Sequence, residues 1–384
     1  VSLPEVPLLG VLPGTGGLTR LIDKRRVRRD LADLFCTTAE GVRADRAREW
    51  KLVDAIAPPQ RFTAAVAERA RALARPRGEK GVALTPLDRR IDDAGYHYLS
   101  VDVVLDRSAR TATLTVTAPD HVGAVDDEGA GWWPLAMARE LDDAILMLRF
   151  NERDIGTILF KTRGEAGAVL ASDEFVLAHR DDWLVRETIG LLRRTLSRLD
   201  VSARSLFAII DEGSCFAGTL FELALAADRS YMLAADEGDN LAPRVMLTAA
   251  NFGLYPMVNG LTRLQNRFCG DAAPVGEIEK QARIPLNAGS AIALGLVTVA
   301  PDELDWADEI RLAIEERTSL SPDALSGLEA NLRFALPETL ATRVFARLSA
   351  WQNWVFNRSN ATGADGALKV FGTGSKPKFE WERV

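Results

Sequence analysis

One carboxylate near the start of the chain has a setting suited to acid–base chemistry. Glu5 stands between Pro4 and Pro7, five residues before Gly10. A carboxylate in an apolar pocket can take a proton from water and return it to a leaving oxygen, because desolvation raises its pKa. The apolar residues 6–9 predict such a pocket. We therefore predict that Glu5 is a general acid/base, the alternative being a surface acid before a turn.

A glycine-rich turn follows this acid. Gly14, Gly16 and Gly17 precede the helical pattern that begins at Leu18. Glycines at such a place serve a tight turn that needs positive φ. Their backbone amides and the helix N-terminus also suit a pocket wall that binds substrate. The stretch lacks the GK[ST] of a phosphate-binding P-loop. We predict a turn that also forms part of the substrate pocket.

Composition excludes several classes of function. The 384 residues carry a net charge of −7, which argues against nucleic acid as a partner. Three cysteines, at 36, 215 and 269, have no spacing typical of a disulfide framework or a zinc site. Three histidines lie far apart in sequence, so no metal site is indicated. No apolar run is long enough to cross a membrane. We predict a cytoplasmic protein in which Cys36 is a buried thiol.

The periodicity of apolar residues predicts an α/β protein. Helices are predicted through the first 75 residues, with a strand at 52–59. Alternation with a turn at Asp106–Arg110 predicts a hairpin, after which strands and helices alternate. From Ser321 the pattern is mostly helical, and the aromatic tail is expected to dock on the protein surface.

The sequence contains an internal repeat. GVLPGTGGLTRL at Gly10–Leu21 matches GLYPMVNGLTRL at Gly253–Leu264, and Ala44–Pro58 similarly matches Ala288–Pro301. The chain is therefore expected to hold the end of one unit and a complete second copy, as if truncated before its first residue. Five residues before Gly253 stands Thr248, whose hydroxyl cannot act as a base near neutral pH. The first copy is predicted to be the catalytic one.

These segments resemble the crotonase (enoyl-CoA hydratase/isomerase) superfamily. LPEVPLLGVLPGTGGLTRL is similar to the block that holds one catalytic glutamate, which falls on Glu5. AIIDEGSCFAGTLFELALAAD resembles the strand and glycine-rich turn that precede the other glutamate. That position falls on Glu222, although Thr219 and Leu220 replace glycines, and a leftover helix acid is the favoured interpretation of Glu222. The resemblance implies oxyanion-hole turns at LASDEF (170–175) and at AGTLF (217–221).

The resemblance implies a ββα spiral in one partial and one degenerate complete copy. We expect residues 1–75 to be the C-terminal part of a first unit, 76–86 a linker, 87–320 the second unit, and 321–384 a helical region and tail. The partner acid and oxyanion donors of the first unit would then precede Val1. As supplied, the chain is expected to be inactive.

The resemblance further implies a homodimer that needs no metal or redox cofactor and acts on an aryl-CoA thioester. Water would open a ring epoxide, and one carbon would leave as formate. Two alternatives stay open: an enoyl-CoA hydratase or isomerase for another acyl-CoA, and a non-catalytic binding or assembly protein. The basic run Asp23–Asp30 is predicted to be a solvated helix face, with a contact to CoA phosphates as the alternative.

Overall fold

The computed structural model describes residues 1–74, 81–123, 125–235 and 241–383, with only the backbone of residues 126 and 127. The chain divides into two compact units, Val1–Lys80 and Gly81–Val384. The predicted linker at 76–86 lies partly outside the described residues.

The first unit is helical. A π-helical turn at Glu5–Leu9 precedes the helices α1 Gly17–Asp23, α2 Arg29–Thr37, α3 Ala44–Glu49 and α4 Pro59–Leu73. Its small core gathers apolar residues of α1, α2 and α3 with Val27 and Val42. The break between α1 and α2 falls in the basic run. Residues 24–28 are therefore not helical, and the helix face predicted for Asp23–Asp30 is wrong there.

The strand predicted at 52–59 is wrong. Residues 52–58 form a turn and an extended segment without strand pairing. The matching segment of the second unit reaches Val299, which pairs with Tyr231. A strand needs such a neighbour to satisfy its backbone groups, and the described residues of the first unit contain no strand.

The second unit is built on a seven-stranded sheet in the order of the chain, β1 to β7. β1–β4 pair antiparallel, and β4–β7 pair parallel. The strands are β1 Arg90–Asp92, β2 Gly95–His97, β3 Val101–Asp106, β4 Thr111–Thr117, β5 Thr157–Arg163, β6 Ser205–Ile210 and β7 Arg229–Met232. The predicted hairpin is the β3–β4 pair, joined by residues 107–110.

Helices make the parallel crossovers and the outer layers. Between β4 and β5 lie α5 Val125–Glu128 and α6 Trp133–Asn151; then come α7 Ala166–Ala178, α8 Trp183–Asp200 and α9 Gly218–Ala226. After β7 follow α10 Arg263–Arg267, α11 Ala272–Glu279, α12 Ala288–Ala293, α13 Trp306–Ser319, α14 Pro322–Leu332, α15 Leu340–Thr342, α16 Ser349–Phe356, α17 Ser359–Thr362 and α18 Ala367–Val370. Short 3-10 turns lie at Gly129–Gly131 and Ala249–Phe252, and a π-helical segment at Arg343–Leu348 joins α15 to α16.

Both faces of the parallel strands are covered, which explains why all six residues of β6 are buried. Leu206, Ala208 and Ile210 belong to the main core with α6, α8 and α9. Phe207 and Ile209 face the other side, where they pack with Ala313 of α13.

The aromatic tail docks on the second unit, as predicted. The Arg383 N–H donates to Arg153 O, and its buried guanidinium donates to Ala203 O and to Glu329. The Arg110 guanidinium lies 3.8 Å from the centre of the Trp381 ring.

Candidate functional site

Glu5 is the first residue of the π-helical turn. The turn ends at Gly10, which adopts φ 65° and donates its N–H to the carbonyls of Glu5 and Val6. One carboxylate oxygen of Glu5, Oε2, is buried and has no hydrogen-bond partner among the described residues. Single π-helical turns are frequent at functional sites. A desolvated oxygen without a donor is open to a proton or a water molecule.

The expected pocket of apolar neighbours around Glu5 is wrong. Val6, Leu8 and Leu9 are 38%, 65% and 70% exposed, because the turn directs them away from the core. Instead, Glu5 lies near α2, the helix that carries Cys36. Burial raises the pKa of the Cys36 thiol, and the nearby Glu5 carboxylate adds to the rise. Cys36 is buried, as predicted.

The three glycines of the turn have different surroundings. Gly16 adopts φ 93° and caps α1. A Cβ on Gly17 would lie 3.2 Å from side-chain atoms of Leu3 and Pro13, so α1 approaches the segment of Glu5 closely. A Cβ on Gly14 would lie 3.8 Å from Leu12 O, an ordinary contact. The geometry explains Gly16 and Gly17 as turn and packing residues, and a role of the three in substrate binding stays a prediction.

The basic run is partly engaged in the first unit itself. Arg25 donates to Lys51 O and to the Asp54 carboxylate, each at 2.7 Å. The neighbouring Arg26 is exposed. Because Arg25 is already paired, the alternative of a contact with CoA phosphates is kept as a prediction for Arg26 and not for Arg25.

The repeat recurs in the backbone hydrogen bonds of the two units. Val1 and Val42 exchange two bonds in the first unit. In the second unit Val245 and Leu286, each 244 residues further on, exchange the same two bonds. Likewise Ala47 O accepts from Leu52 N and Val53 N after α3. Ala291 O accepts from the matching Leu296 N and Val297 N after α12.

This register changes which residue of the second unit corresponds to Glu5. From Val1 to Gly10 the first unit has ten residues, whereas the second has nine, from Val245 to Gly253. The extra residue is accommodated by the wider π-helical turn, where the second unit has a 3-10 turn. Glu5 is the first residue of its turn and therefore corresponds to Ala249. The pairing with Thr248, counted back from the glycines, is wrong by one residue, and the second unit has no acid at this place.

Thr248 instead caps the 3-10 turn and binds a buried carboxylate. Its Oγ1 accepts from Ala250 N and donates to Asp173 Oδ2 at 2.9 Å. Asp173 lies on α7, so LASDEF is helical and the turn expected there is wrong. AGTLF does lead into a helix: Gly218 begins α9, and the Thr219 N–H donates to Asp173 at 2.9 Å. Sequence reasoning missed Asp173, because a single acid inside a helical pattern carries no signal of its own.

Glu222 is held in a buried ion network. Asn251 Nδ2 donates to its Oε1 at 2.8 Å, and Arg263 Nη1 donates to its Oε2 at 3.0 Å. Arg263 also binds Asp200, with 2.8 Å between Nη2 and Oδ2. Burial raises the pKa of Glu222, and Arg263 opposes this rise. Both oxygens of Glu222 are thus engaged, which makes it a tether between α9, α10 and the 3-10 turn.

A cleft of about 390 Å³ opens beside this 3-10 turn. Asp173, Thr248 and Ala249 line it, with apolar walls from Leu170 and other side chains. Among the described residues there is no group of three or more His, Cys, Asp or Glu side chains placed to hold a metal ion. Nor does any helix in that part of the chain have the length and apolar character needed to span a membrane.

Solved structures with a similar fold are enoyl-CoA hydratases. The enoyl-CoA hydratase of Bacillus anthracis is 18% identical, with a TM-score of 0.53, over 74% of this chain and 100% of that one. An enoyl-CoA hydratase/isomerase of Cupriavidus metallidurans CH34 is also 18% identical, with a TM-score of 0.53, over 78% and 99%. The expected crotonase fold is thereby confirmed. No family model matches the chain.

A sequence relative narrows this class. The benzoyl-CoA-dihydrodiol lyase of Aromatoleum evansii is 59% identical over 393 residues, which cover 100% of this chain and 70% of that protein. The chain belongs to the benzoyl-CoA-dihydrodiol lyase family, a family of enzymes in the crotonase superfamily.

Proposed function

We propose that the protein acts on a ring-oxidised benzoyl-CoA thioester, 2,3-epoxybenzoyl-CoA. Two molecules of water are consumed as the ring opens, one ring carbon leaves as formate, and the remaining carbons stay on CoA. The observation that carries this proposal is the 59% identity to a benzoyl-CoA-dihydrodiol lyase along the whole chain.

The geometry of Glu5 supports a role as the acid/base of this reaction. Water must lose a proton to attack the ring, and the oxygen released from the epoxide must gain one. A carboxylate can do both in turn. The buried Oε2 of Glu5 has no partner among the described residues and can accept such a proton. We also propose that Gly14, Gly16 and Gly17 line the site that binds the acyl group.

This reaction requires no metal or redox cofactor, because proton transfer by a carboxylate and attack by water suffice. CoA enters only as part of the substrate. Activity that survives exhaustive dialysis against EDTA supports this, and loss of activity restored by a metal contradicts it.

We also propose that the protein is a cytoplasmic homodimer, to be tested by sedimentation at micromolar concentration and by cell fractionation.

One alternative is supported by the fold, namely hydration or isomerisation of another unsaturated acyl-CoA. The two activities are distinguished by supplying the natural full-length protein with 2,3-epoxybenzoyl-CoA and, separately, with crotonyl-CoA. Formate is measured with formate dehydrogenase, and hydration is followed by the loss of enoyl absorbance. Formate from the epoxide, without comparable crotonyl-CoA hydration, supports the proposal. Hydration without formate supports the alternative.

A further inference from the structure

Three donors in the second unit converge on one buried carboxylate. Asp173 is 2% exposed, and its Oδ2 accepts from Thr219 N and from Thr248 Oγ1, both at 2.9 Å. Its Oδ1 accepts from Thr219 Oγ1 at 2.5 Å. The Tyr255 hydroxyl lies 3.0 Å from Thr219 Oγ1 and completes the network. Three short bonds to one carboxylate define a site for an anion.

The backbone is shaped for this carboxylate. Thr219 is the second residue of α9, so its N–H belongs to the free N-terminal amides of the helix, where negative charge is favoured. Gly218 adopts φ 44°, and a Cβ there would lie 1.8 Å from Asp173 Oδ2. Only glycine lets the carboxylate approach the helix so closely.

No cation pairs with this carboxylate in the described part of the second unit. The other ionisable groups that face it are Glu222 and Tyr255, and Glu222 adds unfavourable negative charge. Burial raises the pKa of Asp173 to about 6, while the bonds from Thr219 and Thr248 oppose the rise. A buried, unpaired charge is costly. Asp173 is therefore held there by its donors alone.

The network lies at the position in the repeat that corresponds to the region of Glu5. Thr248 precedes Ala249, the counterpart of Glu5, and both line the cleft together with Asp173. We propose that the second unit retains an anion site at the place that corresponds to the Glu5 region, and that the side chain of Asp173 occupies it as an internal ligand. The site takes a carboxylate or a polarised carbonyl oxygen, and it stays closed to free ligands as long as Asp173 fills it.

The proposal predicts rescue by a small carboxylate. Asp173→Ala removes one carboxylate group, a volume that matches formate. Thermal unfolding of the 384-residue chain is measured in about 200 mM sodium formate and in sodium chloride of equal ionic strength. If the formate concentration is about tenfold above the Kd of the emptied site, the Tm of Asp173→Ala should be about 2–4 °C higher in formate than in chloride. The Tm of the parent chain should be the same in both salts, because the side chain of Asp173 already fills the site.

Glu174→Ala is the matched control, since this neighbouring acid is exposed and binds Arg283 instead of the donors. Adding Thr248→Val to Asp173→Ala removes one donor and should abolish most of the gain. If Asp173→Ala does not fold in chloride, formate should restore its far-UV circular dichroism. Equal melting in formate and chloride, or an equal gain in the parent or the Glu174→Ala chain, overturns the proposal.

Discussion

Replacing Arg263 by methionine removes the guanidinium that joins the buried carboxylates of Asp200 and Glu222. All three side chains are 2–3% exposed, and Arg263 bonds both carboxylates at 2.8–3.2 Å. Methionine fills much of the volume but leaves buried Glu222 and Asp200 without their hydrogen-bonded cation, and Asp200 keeps only the charge of nearby Arg333. Breaking a buried pair in this way costs about 3–5 kcal/mol. Over a unit of this size, that corresponds to a fall in Tm of roughly 5–15 °C.

The repeat provides a matched control. Arg20 occupies the same place in LTRL of the first unit, yet it is exposed, and its guanidinium donates to Thr15 O and pairs with no carboxylate among the described residues. Arg20→Met should therefore cost less than about 1 kcal/mol. The assay is denaturant unfolding followed by tryptophan fluorescence at constant pH and salt.

A second comparison isolates the charge from the packing. Adding Asp200→Asn and Glu222→Gln to Arg263→Met removes the unpaired charges and should recover a large part of the lost stability. The reasoning is refuted if Arg263→Met costs no more than Arg20→Met, or if the triple variant is as unstable as the single one.

Two further outcomes follow from burial. Because the pKa of Asp173 is raised to about 6, the folded chain binds this proton at a pH where the unfolded chain does not, so this group makes stability rise as the pH falls from 7 toward 4. Asp173→Asn should remove this pH dependence. The difference in unfolding free energy between parent and variant should therefore change by on the order of 2–3 kcal/mol between pH 7.5 and pH 4.5. The same difference at both pH values contradicts the assignment. In thiol titration of the native chain, exposed Cys269 should react with Ellman's reagent while Cys36 and Cys215 stay protected until denaturant is added, and prompt reaction of two or more thiols would contradict their placement.

Periodicity predicted much of the fold. Threonines and apolar residues alternate along β4, and helices such as α6 and α8 carry long apolar stripes, so the local pattern predicts these elements. The segment 52–59 has the same apolar character as a strand, but pairing depends on a neighbour that local sequence does not specify. LASDEF was assigned as a turn through the family resemblance, although its own pattern continues through α7.

The site was predictable only in part. Glu5 was identified by its setting between prolines and by the family block, and the structure adds its unpartnered oxygen. Its counterpart was misplaced, because spacing alone cannot reveal that one helical turn has an extra residue. Asp173 could not be found from sequence, since its donors come from segments 46 and 75 residues away.

The central claim is that Glu5 performs the proton transfers of a formate-releasing lyase. The most direct measurement is the rate of formate release from 2,3-epoxybenzoyl-CoA by the natural full-length protein with Glu5→Gln, beside the exposed-acid control Glu49→Gln. Glutamine keeps the shape of the side chain but cannot accept the proton, so kcat should fall about 10²–10⁴-fold with Tm unchanged within a few degrees. Glu49→Gln should retain the parent rate. Formate release by Glu5→Gln at the parent rate would contradict the account.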